Sequence, residues 1–72
     1  MNNLVAHYRK KNGLTQLQVA NMVNVTSRTI ISIEKGTYKP SLILAYKLAK
    51  VFDTDVETMF KLEEYLGGLH EK

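Results

Sequence analysis

Residues Thr15 to Gly36, TQLQVANMVNVTSRTIISIEKG, constrain this chain more than any other stretch. Within Gln16 to Val23, the residues Val19, Ala20 and Val23 recur at i, i+1 and i+4, one apolar face of a 3.6-period helix. Thr15 stands in front of them as an N-cap, with a hydroxyl that can accept from an orphan first-turn amide. Asn24 tolerates positive φ, and the chain restarts behind Thr26 or Ser27 with Ile30 and Ile33 turned inward. The pattern predicts two short helices, about 16–23 and 27–35, joined by a tight turn. Ala20 is small where they would cross, and Val25 and Ile30 fill the angle between them, which suits a steep helix-turn-helix crossing. Ser27, Arg28, Ser32 and Lys35 then share the outward face of the second helix.

A chain of 72 residues makes one domain, close to the size at which burial alone barely stabilises a fold, so help from oligomerisation is expected. There is no Cys, and neither His7 nor His70 has a carboxylate pair clustered beside it, so no catalytic site, metal or cofactor is expected. No apolar run approaches the ~20 residues that span a bilayer, and no hydrophobic leader precedes the first helix, so the protein is expected to be cytoplasmic, with no membrane partner. The net charge of +3 is unevenly spread. Residues 1–52 carry eight basic side chains against Glu34 alone, and residues 53–72 carry six acidic against two basic. A basic body and an acidic tail fit a polyanion-binding surface on one side and a partner-facing surface on the other.

The remaining elements read as helices in turn. Leu4, Val5 and Tyr8 set a first helix over about Asn3 to Lys11, with cations at its end and His7 on the surface. Asn12-Gly13 stops it, and Leu14 drops into the core. Gly36 closes the third helix, and the polar loop 37–39 ends at Pro40. Ser41 caps a fourth helix whose stripe is Leu42, Ala45, Leu48, Ala49 and Phe52, widened by Leu44 and Val51. Asp53 or Thr54 ends it, and Asp55 caps a fifth helix with Val56, Met59 and Phe60 inward. The domain body is thus residues 1–60. In the tail, residues 61–72, Leu62, Tyr65, Leu66 and Leu69 have helical spacing, yet Phe60 to Glu63 alternates like a strand and Gly67-Gly68 interrupts a helix; both readings stay open. These apolar groups follow a complete small core, so the tail is expected to form a homodimer interface, the alternative being that it folds back on the first or fifth helix.

The run LTQLQVANMVNVTSRTIISIEKGTYKPSLILAYKLAKVFDTDVETMF resembles the Cro/C1-type helix-turn-helix (XRE-like) family over about Val5 to Phe60, and is most similar to its short single-domain repressors. The likeness rests on Arg9 seven residues before Gln16, Ala20 at the fifth place of the motif, Ile30 and Ile33, then Glu34, Gly36, Pro40-Ser41-Leu42 and Met59-Phe60. It implies an all-α, five-helix, lambda-repressor-like domain that binds double-stranded DNA as a symmetric dimer. It puts Gln16 against a phosphate and Ser27, Arg28 and Ser32 at base edges, with Thr26 and Thr29 beside them. It puts Lys35, Thr37 and Lys39 on phosphates flanking the groove, and pairs Arg9 with Glu34 as an internal brace. Two positions depart from the family: Asn24 stands where Gly is usual, and Ile31 where a small or polar residue is usual. Arg28 is the one long donor on the reading face, and bidentate pairing to a guanine is worth ~1 to 3 kcal/mol of discrimination.

Two recognition helices one turn of B-DNA apart, roughly 34 Å, would read a palindromic operator in successive major grooves. The expected function is therefore a sequence-specific transcriptional regulator, a repressor that occupies a promoter. A second reading, from a different class, is a protein-interaction module, an antitoxin or anti-regulator whose tail binds another protein.

Overall fold

The computed structural model describes residues 1–65, which form six helices and no strand. They are α1 (Val5–Lys11), α2 (Gln16–Met22), α3 (Ser27–Lys35), α4 (Leu42–Val51), α5 (Val56–Met59) and α6 (Leu62–Tyr65). The first part of the tail is therefore a single helical turn, and the strand reading of 60–63 is set aside. Leu66 and Leu69 lie outside the described residues.

Local chemistry explains where the helices start. The hydroxyl of Thr15 accepts from Gln18 N at 3.0 Å while the Gln18 side chain accepts from Thr15 N at 2.8 Å, a reciprocal capping box. Thr26, Ser41 and Asp55 cap α3, α4 and α5 in the same sense, accepting from Thr29 N, Leu44 N and Thr58 N. The ends share one device as well. Gly13, Asn24, Gly36 and Asp53 each take a left-handed φ, between 55° and 80°, just after a helix. The next residue's amide then reaches back five positions: Leu14 to Arg9 O, Val25 to Ala20 O, Thr37 to Ser32 O and Thr54 to Ala49 O. Asn and Asp manage this conformation at two of the four positions because their short polar side chains lower its cost.

The first helix begins at Val5, two residues later than its apolar spacing predicts. Asn3 is spent elsewhere: its Oδ1 accepts from Val5 N, and its Nδ2 donates to Met1 O and to Ile33 O, the latter at 2.8 Å. Leu4 N donates to Met59 O at 2.7 Å, and the Met1 ammonium donates to Gly36 O. The segment before α1 thereby ties α3 to α5, in a way that a helix starting at Asn3 would forbid.

The core is Val5, Val19, Ala20, Val23, Ile30, Ile33, Leu44, Ala45, Leu48, Phe52, Met59 and Phe60, all buried. Ala20 has no exposed surface at the α2–α3 crossing, and Val25 packs at its edge. Tyr8 stacks on Phe52 with ring centroids 6.0 Å apart and shares a hydrogen bond with the Thr54 hydroxyl. One expectation fails in α4. Leu42 is not in the core but 77% exposed, and Leu44 takes its place, so the buried stripe is Leu44, Ala45, Leu48, Ala49 and Phe52. At about 100° per residue, Leu42 and Leu44 lie on opposite shoulders of that stripe. Side chains of a first helical turn also lean toward the N-terminus, so Leu42 points past the end of the core.

Candidate nucleic-acid interface

The outward residues of α2 and α3 are held in place from beneath by a single polar network. Arg9 of α1 donates through Nε to Glu34 Oε2 at 2.7 Å and through Nη2 to Glu34 Oε1 at 3.1 Å, a two-pronged ion pair with side chains only 13% and 8% exposed. A third donor, Nη1, reaches Leu14 O at 3.0 Å. The hydrogen bonds that Arg9 donates to Glu34, ahead of the carboxylate's charge, hold the guanidinium above its ordinary range against the opposing effect of burial. Gln16 joins from the first turn of α2, its Nε2 donating to the same Glu34 Oε1 at 3.1 Å. One carboxylate therefore fixes the relation of α1, the start of α2 and the last turn of α3. Gln16 keeps its second amide hydrogen and its carbonyl for other partners.

On α3, Arg28 is exposed, while Ser27, Thr29 and Ser32 are half-buried. Arg28 lies in the first turn, so the longest donor of the face sits at the end of α3 that follows the α2–α3 turn. Thr26 and Thr29 are occupied with each other: their hydroxyls are 3.2 Å apart and Thr26 Oγ1 accepts from Thr29 N. They shape the start of the helix, and a base contact from either would have to share an oxygen that the cap already uses. Ile31 is half-buried on the same helix.

The flanking residues divide likewise. Lys35 and Lys39 are exposed at and beyond the end of α3. Thr37 is exposed, but its hydroxyl donates to Ser32 O at 3.2 Å and its amide donates to the same carbonyl at 3.1 Å. Both donors of Thr37 thus close α3, and a phosphate contact would require its hydroxyl to turn away. In the tail, Leu62 packs against the core. The backbone of Tyr65 ends α6, and Leu66 and Leu69 lie beyond the described residues.

Spacing alone did not reveal Gln18, Asn3 or the outer face of α4. Gln18 had a usable signal, since Thr-x-x-Gln before an apolar run is a capping box. Ile43 had one too: at about 100° per residue it lies on the opposite side of α4 from the stripe of Ala45, Leu48, Ala49 and Phe52. The bond from Asn3 to Ile33 O had none, because it spans 30 residues. Among the described residues, no helix is long and apolar enough to cross a membrane, and no three His, Asp or Glu side chains converge on a metal position.

Known proteins resemble this chain in sequence and fold. The helix-turn-helix family model matches residues 5–57. An uncharacterized HTH-type transcriptional regulator of Methanothermobacter thermautotrophicus is 46% identical over 65 residues, covering 89% of this chain and 94% of the relative. The uncharacterized HTH-type transcriptional regulator YgzD of Bacillus subtilis is 44% identical over 64 residues, covering 89% of this chain and 97% of its own length. The crystal structure of a transcriptional regulator from Listeria innocua superposes with a TM-score of 0.70 at 22% identity, over all of this chain and 80% of that one, a likeness of fold. With two capped helices at a tight turn and this kinship, the chain belongs to the Cro/C1-type helix-turn-helix family of DNA-binding transcriptional regulators.

Proposed function

We propose that this protein is a sequence-specific repressor that binds a palindromic operator as a homodimer, acting in the cytoplasm. Residues 1–60 are the DNA-binding domain, and residues 61–72 a tail that contributes to dimerisation through Leu62, Tyr65, Leu66 and Leu69. Arg28 reads a base, with Ser27 and Ser32 as weaker readers beside it and Thr26 and Thr29 at the groove edge. Gln16, Lys35 and Lys39 hold phosphates, and Thr37 joins them if its hydroxyl turns. The observation that carries the reading is the exposed Arg28 in the first turn of a helix whose last turn is locked to α1 and α2 through Glu34. A donor on such a rigid support loses little conformational entropy when it meets a base edge.

Phosphate contacts supply affinity without sequence information, whereas a bidentate Arg supplies discrimination. A single module of this kind buries roughly 600 to 1,000 Å² on DNA, so two copies are needed for useful specificity. Dimer dissociation, protein level or a partner protein would supply the switching.

The test is selection from a pool of random duplexes at two salt concentrations. Wild type should enrich a palindromic site. Arg28→Ala should relax preference at one symmetric pair of positions, and Lys35→Ala should weaken all sequences alike and reduce the salt slope by about 1 per bound subunit. No enrichment by wild type, even at low salt, would overturn the proposal.

A further inference from the structure

One apolar side chain of α3 takes no part in the core. Ile30 and Ile33 are fully buried, but Ile31 between them is half-buried, and it is neither in the core nor among the partly buried side chains that pack against it. At about 100° per residue, Ile33 points some 160° away from Ile31 and Ile30 about 100° away. Ser27 and Lys35 stand about 40° to either side of Ile31, and Arg28 about 60°. The isoleucine therefore occupies the middle of the outward face, with polar and cationic residues around it. It can neither donate nor accept a hydrogen bond, so it adds nothing to a phosphate contact. The family likeness gives it no role either, since a small or polar residue is usual at that place.

We infer that Ile31 reads the C5-methyl group of a thymine close to the base that Arg28 contacts, so that each half-site is recognised by an apolar contact as well as by hydrogen bonds. The inference rests on the proposed DNA reading of this face. Of the groups that base pairs present in the major groove, the thymine methyl is the apolar one, and the rest are donors and acceptors. An isoleucine set against guanine O6 and N7, or against adenine N6 and N7, would strip water from those groups and return no hydrogen bond. Against thymine, the same side chain buries apolar surface on both partners. Discrimination then comes from attraction to one base and rejection of the others.

The position of that thymine follows from the helix. Arg28 and Ile31 stand at i and i+3, with Cβ atoms about 5 to 6 Å apart. Successive bases rise by about 3.4 Å along the duplex, which places the thymine within about two base pairs of the base read by Arg28. The reader is also rigid. A β-branched side chain holds one strongly preferred χ1 rotamer in a helix, and α3 is braced through Glu34 by Arg9 and Gln16. Little conformational freedom is lost when such a group docks.

The experiment takes the duplex that wild type selects and replaces its thymines by deoxyuridine, one symmetric pair at a time. The exchange removes the C5-methyl and leaves the pairing edge and O4 in place. Affinity is read by fluorescence anisotropy for wild type, Ile31→Ala and Ile31→Val, with circular dichroism to establish that each variant is folded. Withdrawing one methyl from an apolar contact corresponds to about fourfold in affinity, and a symmetric pair to about fifteenfold. Wild type should therefore weaken roughly tenfold or more at one pair of thymines, within about two base pairs of the position at which Arg28→Ala relaxes preference, and little at the others. Ile31→Ala should bind the thymine and uracil forms of that pair about equally, whereas Ile31→Val, which keeps a branched apolar side chain, should still prefer thymine. A selected site with no thymine in that window, a wild type indifferent to uracil there, or a uracil penalty that Ile31→Ala retains in full overturns the inference and leaves the DNA reading in place. If wild type selects no duplex at all, both fall together.

Discussion

Glu34 accepts three side-chain hydrogen bonds, two from Arg9 and one from Gln16, so Glu34→Ala should be the most damaging polar substitution in the molecule. It would leave a guanidinium that is 13% exposed with only the Leu14 carbonyl to bond. Removing one partner of a buried pair costs roughly 3 to 5 kcal/mol, and the residual exposure of both side chains argues for the lower figure, about 3. A 72-residue domain has ~4 to 11 kcal/mol in total at the usual stability per residue. At a urea dependence near 1 kcal/mol per M, the midpoint should fall by about 3 M, read by circular dichroism at 222 nm. The double substitution Arg9→Met with Glu34→Leu should recover most of the loss, since it leaves no buried charge unpaired. A loss below about 1 kcal/mol, or single-site losses that simply add in the double variant, would refute the claim that one carboxylate braces three helices.

Four further outcomes follow from the same geometry. Ile30→Ala, at a position with no exposed surface, should cost about 2 to 5 kcal/mol in urea unfolding. Gly36→Ala puts a side chain at φ 80° and a Cβ 3.0 Å from Met1 O, so about 1 to 2 kcal/mol should be lost, lowering the thermal midpoint by roughly 4 to 16 °C. The Thr58 amide first, and then its side chain, hold the Asp55 carboxyl below the usual carboxylate range. Its contribution is therefore present above the unfolded value near about pH 4 and lost as pH falls through the lower folded value, and Asp55→Asn should flatten that part of an acid titration of stability. Arg28→Ala should cost ~1 to 3 kcal/mol on the preferred duplex, by fluorescence anisotropy, and much less on unrelated duplexes.

The parts of the fold that are written locally were legible in advance. Thr15, Ser41 and Asp55 cap helices within three residues of themselves, and Asn24 and Gly36 end them by backbone geometry that only a few residue types tolerate. Periodicity identified most core positions because one rotation of each helix satisfies it. In α4 it allowed two rotations, with either Leu42 or Leu44 on the shoulder, and only packing against α5 decides between them. Lys61 at φ 53° carries no residue-type signal for a left-handed turn, so the start of α6 was ambiguous with a strand.

At the candidate site the limits are different. The outward spacing of Ser27, Arg28 and Lys35 is a property of one helix. The bonds that decide what Thr26, Thr29 and Thr37 can still offer depend on hydroxyl orientation, which residue order does not encode. The Arg9–Glu34 pair joins residues 25 positions apart, so only the family resemblance pointed to it. The apolar face at Leu42, Ile43 and Tyr46 emerged only when the core was seen to be complete without it.

The central claim is that the α2–α3 face meets DNA, and amide chemical-shift mapping of the full chain tests it most directly. On titrating the selected duplex at moderate salt, the account predicts that the largest changes fall at Gln16, at Ser27 to Ser32 and at Lys35 to Lys39. Changes confined to α5 and α6, with α3 silent at saturation, would contradict it.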